Sequence, residues 1–199
     1  MGIEGASTVS LNSDAKHLAV GKADKKILIG KELTRGLGCG GYPEIGRKCA
    51  EESRNEIKDA IESADLVFAL AGLGKGTGTG SIPVVCEMSK QQGAIVIAVV
   101  TMPFKLEGSR IAKAEDGLAA LRQVCDTAIV IENDKLLKYA GNMTIQSAFA
   151  VADELIASMV KGITETITLP SLVNLDSLDL AGVQTSDLSP LASLTKLDI

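Results

Sequence analysis

The sequence predicts an α/β domain with a doubly wound, mostly parallel sheet flanked by helices. Three observations carry that expectation. Short apolar runs rich in β-branched residues, at 66–71, 94–100 and 127–131, alternate with longer stretches whose apolar residues recur at helical spacing. Runs this continuously apolar suit strands covered on both faces, as parallel sheets are. Glycine-rich stretches fall between strand and helix, at the C-terminal ends of strands, where such sheets hold ligands.

With 199 residues, 46% of them hydrophobic and 23% charged, the chain can bury an ordinary globular core. Aromatics are 3% and tryptophan is absent, so that core must rest on Ile, Val, Leu and Ala. A net charge of −5 argues against a nucleic-acid surface built on general basicity. Cys39, Cys49, Cys86 and Cys125 form no C-x-x-C pair, and His17 is the lone histidine. Free thiols in a reducing cytoplasm are expected, rather than disulfides or a zinc site. No apolar run approaches the roughly 18 residues of a membrane span, and no signal-peptide pattern opens the chain; direct membrane insertion is not expected.

Taken in order, Ser7–Leu11 is a weak strand candidate, with Val9 and Leu11 alternating, and Asn12-Ser13-Asp14 a turn. Ala15–Val20 suits a short helix and Lys25–Ile29 a brief strand. Gly36–Gly41 is a glycine-rich loop ahead of a helix whose start suits Pro43 and Glu44, with proline for φ and the carboxylate for the dipole. That helix is expected to run to about Ser63, burying Ile45, Cys49, Ile57, Ala60 and Ile61. The strand 66–71 follows. After it, glycines occupy alternate positions: Gly72, Gly74, Gly76, Gly78 and Gly80. A helix is expected from about Ile82, with Pro83 in its first turn. Ala94–Val100 is the central strand, ended by Thr101–Phe104; Glu107–Val124 is a helix, Thr127–Ile131 a strand, and Ile145–Ile167 a long helix. Gly72–Gly80, Thr101–Phe104 and Asn133 should converge on one cleft.

Strand, glycine turn and helix N-terminus together aim unpaired amides and the positive end of a helix dipole at one point, which suits a phosphate. Positive φ and close backbone approach explain the glycines on this reading. A flexible glycine linker would not sit between a buried strand and a helix start. The stretch is not a Walker loop, because Gly74-Lys75 is followed by Gly76 and Ala69 stands where the first glycine belongs. Strictly alternating glycines do not fit G-x-G-x-x-G either.

Gly74-Lys75-Gly76-Thr77-Gly78-Thr79-Gly80 resembles the tubulin and FtsZ signature G-G-G-T-G-[ST]-G, with Lys75 replacing a glycine. The resemblance extends through NSDA (Asn12–Ala15), RGLGCGGYPEIGRKCAEE (Arg35–Glu52), TMPFKLEG (Thr101–Gly108), IENDKLL (Ile131–Leu137), AFAVAD (Ala148–Asp153) and LVNLD (Leu172–Asp176). The wording GLGKGTGTGS is similar to archaeal members of this GTPase family. The family implies a GTP-binding, GTP-hydrolysing cytoskeletal protein of prokaryotic cell division that assembles head-to-tail and meets division-site proteins in the cytoplasm. It implies GTP or GDP with Mg²⁺. Gly72, Gly74, Lys75, Gly76, Thr77, Gly78, Thr79 and Gly80 would hold the phosphates, with Thr101 and Pro103 beside them. Gly38, Cys39, Gly40 and Gly41 would lie near the terminal phosphate. Glu107 would bind the ribose and Arg110 would lie near the nucleotide, in a segment one residue shorter than usual. Asn133 and Asp153 would read the guanine; Asp153, among Ala152, Leu155 and Ile156, is expected where an unpaired carboxylate is costly. Asn174, Asp176 and Asp179 fit N-x-D-x-x-D, whose acids orient water in the next subunit's site.

Two departures are expected to matter. The family's first strand and its GxGGxG-like loop are missing, which leaves a neighbouring strand edge unpaired unless the others close up. LVNLDSLDL (Leu172–Leu180) and LASLTKLDI (Leu191–Ile199) share L-x-x-L-x-x-L-D-[LI], so Leu172–Leu180 is either a catalytic loop or a leucine-rich repeat. The expected division is an incomplete GTPase domain over 1–176 and a divergent leucine-rich tail over 177–199. A non-hydrolysing remnant that binds protein partners is the alternative.

Overall fold

The computed structural model describes residues 6–135 and 145–168. Every strand pairing among them is parallel, and the sheet is in two pieces, β1-β2 and β3-β4-β5.

The first piece joins β1 (Val9–Asn12) to β2 (Lys25–Leu28) through helix α1 (Ala15–Val20). Asp14 starts α1 by accepting from the Lys16 and His17 amides at 2.9 and 3.1 Å. The His17 bond is the chief reason the Asp14 carboxyl lies below its ordinary pKa. A short helix, α2 (Lys31–Thr34), which the sequence reading did not expect, follows β2. The single helix expected from Pro43 is two, α3 (Pro43–Glu52) and α4 (Arg54–Ile61). The break is at Ser53, whose buried side chain turns inward and accepts from the Gly30 amide at 3.2 Å. A helix-interior serine is cheaply diverted to such a bond.

The second piece is β3 (Leu66–Gly72), β4 (Ile95–Met102) and β5 (Thr127–Glu132), joined by α5 (Thr77–Gln91) and α6 (Ser109–Arg122). β4 is the central strand, as its apolar run predicts. Ala69, Ala71, Val96, Ala98 and Val100 face α5 and α6. Ile97, Val99, Ile129 and Ile131 face the long helix α7 (Ile145–Thr168) through Leu155, Ile156 and Met159. Leu70, in register with Val99 on that same face, is left 52% exposed.

The strands do not close up around the expected vacancy. On β3 the odd-numbered residues turn their peptide groups to β4: Asp65 accepts from Ile95 at 2.8 Å and Leu73 donates to Thr101 at 2.9 Å. Parallel geometry then directs the groups of Phe68 and Leu70 to the opposite edge, where no strand lies among the described residues. On β1, Thr8 and Asn12 accept from Lys25 and Ile29, so Val9 and Leu11 likewise direct theirs outward. What joins the two pieces is α5. Its Val84, Val85 and Met88 pack with Ile27, Ile29, Cys49 and Ile57, while its Ile82 and Cys86 pack under β3 and β4.

Candidate functional site

β3 runs out at Gly72, and Leu73 extends the ladder by its bond to Thr101. The chain then turns through Gly74, whose φ of +96° is the left-handed conformation that favours glycine. The Gly74 amide donates to the Thr79 hydroxyl at 2.9 Å, closing the turn onto the helix that follows.

That helix begins earlier than expected. Thr77, Gly78, Thr79 and Gly80 are the first turn of α5, and Pro83 lies inside the helix instead of at its start. Its N-cap is Gly76, which offers no side-chain oxygen, and no side chain caps the helix. The Thr77, Gly78 and Thr79 amides therefore have no helical carbonyl to bond, and the positive end of a 15-residue helix points out of the C-terminal end of a parallel sheet. An anion is the natural partner of such a terminus.

The glycines in this turn have a second explanation. A Cβ on Gly76 would lie 2.7 Å from Cys39 Cβ and 2.8 Å from the Tyr42 nitrogen; one on Gly78 would lie 2.7 Å from the Gly72 carbonyl oxygen; one on Gly80 would lie 1.9 Å from that of Pro43. Gly46 on α3 returns the contact, its would-be Cβ 2.2 Å from the Gly76 oxygen. Thus α3 and the Gly36–Tyr42 loop press directly on the first turn of α5. Of the five alternating glycines only Gly74 takes a positive φ.

The Gly36–Tyr42 loop lies where the sequence placed it. Gly36, Gly38, Gly40 and Gly41 all have positive φ. Ser13, at the end of β1 and fully buried, locks the two loops together: its hydroxyl is 2.7 Å from that of Thr77 and accepts from the Cys39 thiol at 3.1 Å. Sequence reasoning saw only a turn at Ser13. Its position in the NSDA segment was the signal.

The other flank is built by the segment after β4. Pro103 Cγ and the Arg110 backbone oxygen would stand 3.2 and 2.9 Å from a Gly74 Cβ, so Pro103 and Arg110 border the turn. Thr101 lies beside Gly72 in the register. Glu107 accepts from the Phe104 amide at 3.0 Å and forms an ion pair with Arg110, so the two candidate ligands hold each other. Asn133, just beyond β5, is 5% exposed, and its Oδ1 has no hydrogen-bond partner among the described residues. Leaving such an atom unmet costs about 1–3 kcal/mol, so the site invites a donor there. Lys75 projects from the turn into solvent.

Asp153 differs from expectation. It lies on the exposed side of α7, while Leu155, Ile156 and Met159 take the face against the sheet, so the burial argument for its carboxylate does not hold. Asn174, Asp176 and Asp179, and the leucine-rich tail with them, lie outside the described residues. No three His, Cys, Asp or Glu side chains among the described residues gather to hold a metal ion, and no described helix is long and apolar enough to cross a membrane.

Comparison with known proteins shows the family. Residues 4–141 match the family model described as the Tubulin/FtsZ family, GTPase domain. Over 183 residues, 92% of the chain, it is 58% identical to cell division protein FtsZ 2 of Methanocaldococcus jannaschii, of which it covers 48%. It is 55% identical to cell division protein FtsZ 1 of Thermococcus kodakarensis, covering 92% of this chain and 49% of the relative. Among solved structures, an empty FtsZ dimer from M. jannaschii superposes with a TM-score of 0.83 at 55% identity, over 92% of this chain and 53% of that one. The chain spans about half the length of the curated relatives it matches.

Proposed function

The chain belongs to the tubulin/FtsZ family of GTPase domains, and from that premise we propose that it binds and hydrolyses GTP and assembles head-to-tail with its own copies in prokaryotic cell division. The observation that carries the reading is the uncapped N-terminus of α5, set at the end of β3 and flanked by the Gly36–Tyr42 loop. The amides of residues 77–79 and the turn at Gly74 would take the phosphates. Thr101, Pro103, Glu107 and Arg110 would border the sugar, and the unmet Asn133 oxygen would accept from the guanine, with Asp153 as its companion. Because Asp153 is exposed, its part depends on the base reaching it along α7. Mg²⁺ would accompany the nucleotide and would supply charge neutralisation at the phosphates; the described residues gather no acidic cluster that would hold it on its own.

Catalysis is proposed to be completed across the contact between copies, with Asn174, Asp176 and Asp179 of one chain positioning water at the phosphates of the next. The solved relative is a dimer by its description, which supports self-association. Division-site proteins are the expected further partners, in the cytoplasm.

Titration with GTP and GDP, together with phosphate release followed against protein concentration, tests the proposal. Saturable binding with release rising more steeply than concentration is the expected result; absence of nucleotide binding overturns it. A second reading, a non-hydrolysing nucleotide-fold module that binds protein, is favoured by the outer edges of β1 and β3, beside which no strand lies among the described residues. Tight binding without turnover at any concentration selects that one.

A further inference from the structure

Lys113 is the one feature of this site that neither the glycine signature nor the family's named positions account for. It projects from α6, which lies along the first turn of α5: the Arg110 oxygen abuts Gly74, Ala114 is fully buried, and a Cβ on Gly117 would meet Thr79 Cγ2 at 2.3 Å. From that helix the Lys113 ammonium crosses to the opposite wall. It donates to the Gly41 carbonyl at 2.7 Å and stands 5.4 Å from the centroid of the Tyr42 ring. It is half-buried and, among the described residues, has no carboxylate within ion-pair distance, whereas Arg110 beside it is neutralised by Glu107.

A half-buried ammonium matched only with a neutral carbonyl and an aromatic face would gain from an anion, its strongest partner. It sits against the Gly36–Tyr42 loop, which itself presses on the first turn of α5. Gly41, which it holds, has a φ of +81°.

We propose that Lys113 is a specificity-determining residue of this site. It holds the Gly36–Tyr42 loop closed by its bond to Gly41 in the free protein, and transfers its ammonium to the outermost phosphate when a nucleoside triphosphate binds. The inference rests on the nucleotide-binding reading above. It adds a named cation that distinguishes three phosphates from two. No covalent step is involved; one hydrogen bond to a neutral oxygen is exchanged for one to a charged oxygen.

The test uses the 199-residue chain with GDP and with a non-hydrolysable GTP analogue. In Lys113→Met, which keeps the apolar stem, triphosphate affinity is expected to fall about tenfold to a hundredfold and diphosphate affinity about twofold or less; Lys113→Arg, which keeps the charge, is expected to recover most of the loss. Hydrogen exchange of residues 36–42 in the ligand-free protein is expected to quicken in Lys113→Met and not in Lys113→Arg. Equal loss for both nucleotides, or no loss for either, overturns the proposal, as does unchanged exchange in that loop. Should Lys113→Met not fold, Lys113→Gln serves in the same comparison. If the wild-type chain binds neither nucleotide, the function proposed above falls and this inference with it; that case is distinguished by the failure of the wild type itself.

Discussion

Replacing Gly80 by alanine separates the two explanations of the glycine row. If Gly80 served only a flexible phosphate turn, alanine in the first turn of α5 would favour the helix and stabilise the protein by up to about 1 kcal/mol. The structure gives the opposite sign. The added Cβ would stand 1.9 Å from the Pro43 oxygen and 2.6 Å from the Arg47 nitrogen, both backbone atoms of α3. Relief requires the helices to part by roughly 1–1.5 Å, because no flexible side chain can turn aside, and forced expansion of this kind costs about 1–3 kcal/mol, sometimes more. The α3–α5 contact also backs the core formed by Cys49, Ala50, Val84 and Val85, which would loosen with it. After subtracting the helix-propensity gain, the expected net loss is about 1 kcal/mol. In urea that lowers the midpoint by about 0.5 M with an unchanged slope. Gly162→Ala in α7, where no described residue lies within 4 Å of the added Cβ, is the control and is expected to be neutral or stabilising. A Gly80→Ala chain as stable as the wild type, measured without nucleotide, would refute the packing argument.

Three further outcomes are expected. In native-state hydrogen exchange the amides of Phe68 and Leu70, directed away from β4, should exchange about tenfold or more faster than those of Ala69 and Ala71; equal protection would mean that the outer edge of β3 is covered. Burial pushes the Cys49 and Cys86 thiols up to about 12, and Cys39 is buried beside Ser13, so a thiol reagent at pH 8 should label Cys125 first and all four only after denaturation; Cys49 reacting as fast as Cys125 would contradict the packing of α3. The Asp126 carboxyl lies below its ordinary value of 3.8, first because it accepts from the Val96 amide at 2.8 Å and then because Lys90 pairs with it at 2.9 Å. Its folded-state pKa is the depressed one, so its contribution is full above pH 4 and is lost as pH falls through the folded value. The stability difference between wild type and Asp126→Asn, followed by thermal melts from pH 6 to pH 2.5, should be constant at first and shrink below pH 4.

The strands β3, β4 and β5 were legible because each is a distinct apolar run. The run at 66–71 became β3 and the one at 94–100 became the core of β4, within two residues at either end. The short helix at 15–20 was legible although its cap, Asp14, was read only as part of a turn, and the loop at 36–41 could be placed from its glycines. The break at Ser53 was illegible because its cause is the distant Gly30 amide, which no local pattern reports. Asp153 was misjudged because apolar neighbours along a helix do not fix which side faces the sheet. Lys113 resembled any exposed helical lysine until α6 was laid against the Gly36–Tyr42 loop.

The start of α5 was misplaced for a more general reason. Thr-Gly-Thr-Gly is a poor helix opening by propensity, costing about 2–3 kcal/mol against alanine over four positions, and local rules therefore assign it to a loop. The helix forms there because it is gripped on every side: Thr79, Gly80, Ser81, Ile82, Val84, Val85, Cys86, Met88 and Ser89 are all buried, and its residues enter the cores of both sheets. A helix buried all round is held by packing, and that packing offsets the propensity cost. It also accepts no Cβ at the points where α3 and the Gly72 carbonyl press on it. So one row of glycines answers three demands: conformation at Gly74, contact with α3 and the Gly36–Tyr42 loop at Gly76 and Gly80, and clearance from Gly72 at Gly78. Local consistency fails at the turn where the proposed anion site and a structural joint occupy the same residues, which is where sequence rules are expected to fail. Since β1 and β3 share no hydrogen bonds, the two sheets are held in relation by this joint, and the helix that would bind the phosphates is the one that keeps the fold in one piece.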